Sequence, residues 1–208
     1  MHSVLEDCIK PDEKLDFEEI KSLYNENKKS YDPSGLISSE LISAGEQILE
    51  EFYDEYQDTI FDVYDKEYGF AIVLGSYLIV GYIDRLDLIG DDLVKIIDYK
   101  TGKWEVALKD VPTNLQLGIY ALAASKAFPG KRIIAELHYL RSGRKKGHEY
   151  SEEDLEEVKS LIIESINNII EDKSFHPTKN ERACTYCDFA QNGVCSTGVF
   201  RMKKKAKA

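Results

Sequence analysis

Two aspartates and a lysine have the residue types and the spacing that could hold a metal ion. They are Asp84, Asp98 and Lys100, and each stands in or beside a mainly apolar segment. Carboxylate oxygens are the ligands that hard cations such as Mg²⁺ and Mn²⁺ prefer. The alternative is a salt-bridged pair on the surface of a sheet. Three charges among strand-like apolar residues favour the metal site, because charged groups are rarely buried without a partner.

A β-hairpin is the element that must position these residues. Apolar and β-branched residues at 77–83 and at 93–97 predict two strands, with a turn between them. A hairpin centred on Asp91 places Asp84 opposite Asp98, with Cβ atoms roughly 5 Å apart. The lysine two residues after Asp98 lies on the same face of its strand. Like charges this close repel unless a cation lies between them.

Periodic apolar residues predict further helices and strands around this hairpin. The predicted helices are 16–29, 38–56, 113–128 and 151–171, the further strands are 67–74 and 132–140, and a basic loop is 141–147. Helices that flank a central mixed sheet indicate the α/β class.

Composition indicates a globular chain without a membrane segment. The 208 residues are 43% hydrophobic, and no apolar run is long enough to cross a bilayer. The absence of a secretory signal predicts a soluble, cytoplasmic protein.

The net charge of −11 is unevenly distributed along the chain. Residues 1–99 carry 24 acidic and 8 basic residues, whereas residues 100–208 carry 14 acidic and 19 basic ones. A polyanion could bind the second half. A soluble acidic protein with a disordered basic tail explains the same charges.

Three of the four cysteines are close together near the C-terminus. Cys184, Cys187 and Cys195 follow the pattern C-x2-C-x7-C. Thiolates at this spacing select Zn²⁺ or an iron–sulfur cluster, and such a site suits a reducing compartment better than a disulfide framework does. The alternative is three unrelated buried cysteines.

An ordered set of motifs resembles the nuclease domain of the PD-(D/E)XK superfamily. It is similar in particular to the RecB/AddB-like branch, which includes the CRISPR-adaptation exonucleases. The motifs are GYIDRLD at 81–87, IDYKTG at 97–102, QLGIY at 116–120 and FHP at 175–177, followed by the three cysteines. The resemblance covers essentially the whole chain. It implies a restriction-endonuclease-like mixed sheet flanked by helices, with a C-terminal cysteine-rich metal segment.

The resemblance implies catalytic roles for Asp84, Asp98, Lys100, Gln116 and Tyr120. The two aspartates would hold Mg²⁺ or Mn²⁺, which polarises the scissile phosphate and lowers the pKa of the attacking water. Lys100 would orient that water or stabilise charge on the phosphate. Gln116 and Tyr120 are four residues apart on one helix face, and the resemblance puts that face over the metal. Without the resemblance, the same pair suits ordinary surface and core positions.

The resemblance also implies a further metal ligand at His2. Residues 1–7 are similar to the helix whose histidine binds the metal in this branch, and imidazole would favour Mn²⁺. Glu46 is a second candidate for the same role. Relatives carry an additional segment with a cysteine before this histidine, so the resemblance leaves open whether the chain is N-terminally truncated.

The resemblance implies that Cys184, Cys187 and Cys195 hold a [4Fe–4S] cluster. Cys8 is the one cysteine left to serve as the fourth ligand. Cys8 follows His2, whereas the cysteine of the family precedes its histidine, so the position departs from the pattern. A zinc knuckle completed by Cys8 or His176 is the chemical alternative.

Three single residues have open roles. Glu67 could add a carboxylate near the metal, and His138 suits a core or edge position better than a ligand role. Trp104 could stack on a nucleobase or cover the end of the sheet.

Together these observations predict a divalent-metal-dependent DNA nuclease that acts in recombination, repair or CRISPR-type processing. An exonuclease acting on single-stranded ends is expected rather than an endonuclease, with a helicase or integrase as its partner and no membrane. One domain is expected over residues 1–200, with the cysteine segment at 175–198 and a basic flexible tail at 201–208. The alternatives are a catalytically inactive DNA-binding or scaffolding subunit, and a zinc-knuckle interaction domain.

Overall fold

The computed structural model describes residues 1–174 and 176–205, with side chains described up to residue 202. The chain divides into two compact units, Met1–Glu164 and Ser165–Ala208. The single domain predicted over residues 1–200 extends across both units. The boundary falls within a continuous helix, where no loop or change of composition marks it.

The first unit consists of a five-stranded sheet and helices. Its helices are α1 (His2–Cys8), α2 (Phe17–Tyr31), α3 (Ser39–Tyr56), α4 (Leu115–Ala127) and the start of α5 (Glu152–Glu171), and its strands are β1 (Val63–Leu74), β2 (Tyr77–Ile89), β3 (Leu93–Lys100), β4 (Arg132–Tyr139) and β5 (Arg144–Tyr150). A short 3-10 turn, Leu108–Asp110, precedes α4.

The sheet is mixed, as predicted, and its strands follow the order of the chain. β3 and β4 are parallel, and every other neighbouring pair is antiparallel. The register Arg85↔Ile97 between β2 and β3 is the register of a hairpin centred on Asp91. The predicted register of the hairpin is therefore confirmed.

The predicted basic loop at 141–147 is wrong, because most of it belongs to strand β5. The cations of this strand pair with carboxylates of the same unit. Lys145 pairs with Glu55, and Arg144 pairs with Glu105 at 2.7 Å. These two cations therefore do not form a free basic surface of the kind that the charge pattern suggested.

Helices cover both faces of the sheet. Ile97 and Tyr99 of β3 belong to the hydrophobic core formed with α1, α2 and α3. Asp98 and Lys100 alternate with them and lie on the other face, where Lys100 bonds to Gln116 of α4. Helix α4 begins at a cap, since the Asn114 side chain accepts a hydrogen bond from the third helical N–H.

The second unit contains short helical elements that follow the end of α5. They are a 3-10 segment (Glu181–Tyr186), α6 (Asp188–Gln191) and α7 (Ser196–Lys205). Residues 201–205, predicted as a flexible tail, continue α7. Residues 206–208 of that tail and the first residue of the FHP motif lie outside the described residues. Among the described residues, no helix combines the length and hydrophobicity needed to cross a membrane.

His138 lies in the core of the first unit, as the sequence predicted. Its side chain is 4% exposed. Its ring lies 5.9 Å from the ring centroids of Phe52 and Tyr56 and 5.6 Å from that of Tyr99. Burial lowers the pKa of His138 from 6.5 to about 4, and the nearby Lys145 ammonium acts in the same direction.

We expect the His138→Phe variant to lose part of the acid sensitivity of the wild type. Between pH 6.5 and pH 4 the unfolded chain binds more protons at this residue than the folded chain does. The contribution of the neutral His138 side chain to the free energy of unfolding is therefore complete above pH 6.5, and it falls by about 3 kcal/mol towards pH 4. Urea unfolding across this range measures the difference. His176 is exposed, so His176→Gln should keep the wild-type dependence of the free energy of unfolding on pH. An unchanged dependence in His138→Phe would show that His138 does not cause the acid sensitivity.

Candidate metal-binding site

Asp84 and Asp98 lie where strands β2 and β3 stop pairing. The ladder ends at Arg85↔Ile97, one residue before the two aspartates. Beyond that point the Tyr99 N–H donates to Asp84 Oδ2 at 2.8 Å instead of to a strand carbonyl. The Asp84 carboxylate is thereby fixed beside Asp98.

Asp98 is a buried carboxylate that is paired with an ammonium group. The residue is 2% exposed. Lys100 Nζ lies 2.7 Å from its Oδ2 atom and forms an ion pair with it. Burial raises the pKa of Asp98, the Lys100 ammonium opposes the rise, and the Asp84 charge adds to it. A pair on the sheet surface, the alternative from the sequence, does not describe this carboxylate.

A chain of hydrogen bonds joins Lys100 to helix α4. Lys100 Nζ donates to Gln116 Oε1 at 2.8 Å, and Gln116 Nε2 donates to the Tyr120 hydroxyl oxygen at 2.9 Å. The Tyr120 ring meets Phe70 of β1 edge-on, with 5.9 Å between centroids. The structure therefore brings the predicted residues Lys100, Gln116 and Tyr120 together.

His2 also lies beside Asp84, at the start of α1. Its Nδ1 atom is 3.4 Å from Asp84 Oδ2, and this contact raises the pKa of His2. The other candidate, Glu46, lines a groove between α2 and α3.

Glu67 of β1 adds a third carboxylate to the electrostatics of the site. Burial raises the pKa of Glu67, and the charges of Asp84 and Glu6 act in the same direction. Its backbone has a positive φ of 49°, a conformation that is uncommon for a residue with a side chain. The negative charge of Asp84 thus contributes to the raised pKa values of both Glu67 and Asp98.

The site fits a divalent cation that is held by two carboxylates. Asp98 provides a buried carboxylate, and Asp84 carries the neighbouring negative charge. Within residues 1–174 and 176–205, however, no three His, Cys, Asp or Glu side chains lie close enough to hold an ion. The predicted three-ligand group of His2, Asp84 and Asp98 is therefore not assembled. Two carboxylates remain sufficient for Mg²⁺, which usually takes one or two of them together with waters and substrate phosphates.

The same result removes support for an iron–sulfur cluster or a zinc knuckle at the described cysteines. Cys184 Sγ accepts a hydrogen bond from Arg201 at 3.7 Å, and Cys195 Sγ accepts one from the Gly198 N–H at the start of α7. Cys8 is buried in the core of the first unit, where burial raises the pKa of its thiol to about 12. These thiols have structural surroundings, which the spacing alone did not reveal.

Arg85, Asp87 and Tyr99 form a polar cluster that the sequence analysis did not identify. Arg85 Nε donates to Asp87 Oδ1 at 2.7 Å, a second guanidinium nitrogen donates to Oδ2, and Nη1 donates to the Tyr99 hydroxyl at 3.1 Å. Arg85 and Asp87 are 8% and 4% exposed. The sequence did contain a signal for this cluster. Arg85 and Asp87 follow Asp84 in the motif GYIDRLD, and alternation along a strand puts both of them on the face opposite to Asp84.

The sequence of the chain matches that of a known protein family. Residues 1–195 match the family model described as the PD-(D/E)XK nuclease superfamily. Over 143 residues the chain is 31% identical to one component of the ATP-dependent helicase/deoxyribonuclease of Carboxydothermus hydrogenoformans. This match covers 64% of the chain but only 13% of the length of that relative.

The fold was also compared with solved structures. A candidate exonuclease from Eubacterium rectale matches with a TM-score of 0.47 and 10% identity, over 92% of this chain and 74% of that protein.

Proposed function

Because the chain belongs to the PD-(D/E)XK nuclease superfamily, we propose that it is a divalent-metal-dependent deoxyribonuclease. Its active site for the hydrolysis of phosphodiester bonds would consist of Asp84, Asp98 and Lys100. Nucleases of this superfamily generally use divalent metal ions such as Mg²⁺. The observation that carries the proposal is the buried Asp98 carboxylate, which lies beside the charge of Asp84 and pairs with Lys100 at 2.7 Å. Two neighbouring carboxylates repel each other, and a single ammonium leaves a negative charge that a divalent ion would balance.

Asp84 and Asp98 are the residues that would hold the ion. When bound, a divalent ion supplies a Lewis acid for a phosphate oxygen and lowers the pKa of a water. Asp84 is kept in place by the Tyr99 N–H. The side chain of Lys100 is 33% exposed, so its ammonium remains accessible to a phosphate and can stabilise the negative charge that develops there.

Gln116 and Tyr120 hold Lys100 in that position. The Gln116 amide accepts from Lys100 and donates to Tyr120, so its orientation is fixed from both sides. Preorganised donors cost no rearrangement when the charge develops. We therefore assign Gln116 and Tyr120 as positioning residues for Lys100. Either side chain would also be able to contact the DNA strand that is bound beside Lys100.

We further propose that the substrate is a single-stranded DNA end and that a helicase supplies it. The name of the Carboxydothermus relative joins helicase and deoxyribonuclease activities, and a helicase produces single strands. The chain matches only 13% of that relative, so the helicase would be a separate region or partner.

Cleavage assays with labelled DNA test the proposal. We expect the protein to degrade linear single-stranded DNA with Mg²⁺, to lose this activity in excess EDTA and to regain it when Mg²⁺ is restored. A circular single strand of the same sequence should resist an exonuclease. Cleavage of the circle would instead make the enzyme an endonuclease.

A non-catalytic DNA-binding protein is the outcome if the wild type cleaves no substrate with Mg²⁺ or Mn²⁺. Binding of the same strands, measured by fluorescence anisotropy, would then be retained. Cleavage and binding should be measured on the same protein preparation, so that binding without cleavage identifies a non-catalytic protein rather than an inactive sample.

A further inference from the structure

The only tryptophan of the chain lies almost completely in solvent. Trp104 is 94% exposed, on the loop between β3 and the 3-10 turn Leu108–Asp110. Indole side chains are highly buried on average. Of the two roles that the sequence left open, covering the end of the sheet is excluded by this exposure.

The loop that carries Trp104 is fixed at both ends. On one side the Thr101 carbonyl accepts a hydrogen bond from Arg141 Nε at 2.6 Å. On the other side the Val106 N–H donates to the hydroxyl of the buried Tyr139 at 2.9 Å. The backbone on either side of Trp104 is therefore attached to β4 and to the residues that follow it.

Glu105, the residue after Trp104, is attached by several contacts. Its carboxylate accepts hydrogen bonds from Ser142 at 2.8 Å and from Arg144 at 2.7 Å, and it pairs with Lys146 at 3.0 Å. Only 13% of this side chain is exposed. The loop is thus attached on both sides of an indole that is itself exposed to solvent.

We propose that Trp104 stacks on a nucleobase of the DNA strand whose phosphate lies at Asp98 and Lys100. Trp104 is four residues after Lys100, which limits their Cα separation to about 14 Å. A base a few nucleotides from the cleaved bond lies within this reach. Stacking needs only an accessible aromatic face and is tolerant of sequence. The inference rests on the proposed function, which supplies the strand at this site.

A nucleobase suits the surroundings of Trp104 better than a protein partner does. In protein–protein interfaces, the residues that contribute most of the binding energy lie within a surrounding ring of packed residues. The neighbours of Trp104 along the chain are instead Gly102, the exposed Lys103 and the charged Glu105. A flanking ammonium suits a nucleic-acid backbone, because Lys and Arg supply phosphate contacts.

Tryptophan fluorescence tests the stacking without any cleavage. Because Trp104 is the only tryptophan, the tryptophan emission of the protein reports on this residue alone. In EDTA and at low salt, we expect a single-stranded oligothymidine to quench the emission in a saturable manner. An abasic oligonucleotide of equal length carries the same phosphates and should leave the emission unchanged.

Variants measure the contribution of the indole to binding. Trp104→Ala should weaken binding of single-stranded DNA about 5- to 150-fold, and Trp104→Tyr should restore most of it. In the cleavage assay Trp104→Ala should raise KM and leave kcat within about threefold. Leu108→Ala is the matched control, since Leu108 is 67% exposed and apolar at the end of the same loop.

The outcomes separate this inference from the proposed function. Quenching by oligothymidine in a protein that cleaves no DNA would support the stacking and contradict the nuclease. Active cleavage with no quenching and an unchanged KM in Trp104→Ala would overturn the stacking alone and would leave a protein partner as the ligand of Trp104.

Discussion

Asp98→Asn is expected to reduce DNA cleavage about a thousandfold while leaving the fold intact. The substitution keeps the shape of the side chain and removes the charge that would hold a divalent ion. Metal ions provide several kcal/mol of transition-state stabilisation, and about 1.4 kcal/mol corresponds to a tenfold change in rate. Single-turnover cleavage of linear single-stranded DNA with Mg²⁺ measures the loss.

The stability of the same variant distinguishes a lost catalytic group from a damaged fold. The folded protein raises the pKa of Asp98, mainly through burial. An acid of this kind costs stability as the pH rises through its raised pKa, because the charged form is disfavoured in the folded state. At neutral pH and without divalent ions, Asp98→Asn should therefore be at least as stable as the wild type.

A matched aspartate in the same hairpin provides the control. Asp91 is exposed in the turn between β2 and β3, so Asp91→Asn should cleave DNA at the wild-type rate. Asp84→Asn should lose activity as Asp98→Asn does, and it should stay folded because its remaining amide oxygen can still accept the Tyr99 N–H. Wild-type cleavage by both Asp84→Asn and Asp98→Asn would refute the proposed site.

The sequence predicted the hairpin correctly because two local signals agree there. The turn fixes the centre at Asp91, and the apolar runs on either side fix the strands, so that the register between the two strands follows. Helix α4 was predicted from its periodicity, and its relation to Lys100 came only from the resemblance. A single sequence contains no signal for which helix covers which face.

The predictions that the structure corrects or leaves without support depend on contacts that are distant in sequence. Strand β5 is polar, and its pairing with β4 and the ion pair of Lys145 with Glu55 stabilise it. The cysteine pattern suggested a shared metal site, whereas Cys8 packs in a hydrophobic core whose other members come from several helices and strands. Spacing along the chain cannot reveal such neighbours, because tertiary packing brings them together.

The buried pair of Arg85 and Asp87 leads to the second large prediction. We expect Asp87→Asn to lower the free energy of unfolding by about 3–5 kcal/mol, because the variant leaves the Arg85 charge buried without its carboxylate. The Tyr99 hydroxyl and the Phe61 ring, whose centroid lies 4.5 Å from the guanidinium carbon, would remain beside it. Neither of them carries a compensating charge.

Urea unfolding at neutral pH measures this effect without the screening that guanidinium chloride would add. The control is Asp58→Asn, which breaks the exposed ion pair between Asp58 and Lys14 and should cost at most about 1 kcal/mol. Replacing both partners, in Arg85→Met/Asp87→Leu, removes the uncompensated charge and should recover much of the loss. If the double variant is less stable than Asp87→Asn, the destabilisation comes from lost hydrogen bonds and packing rather than from the buried charge.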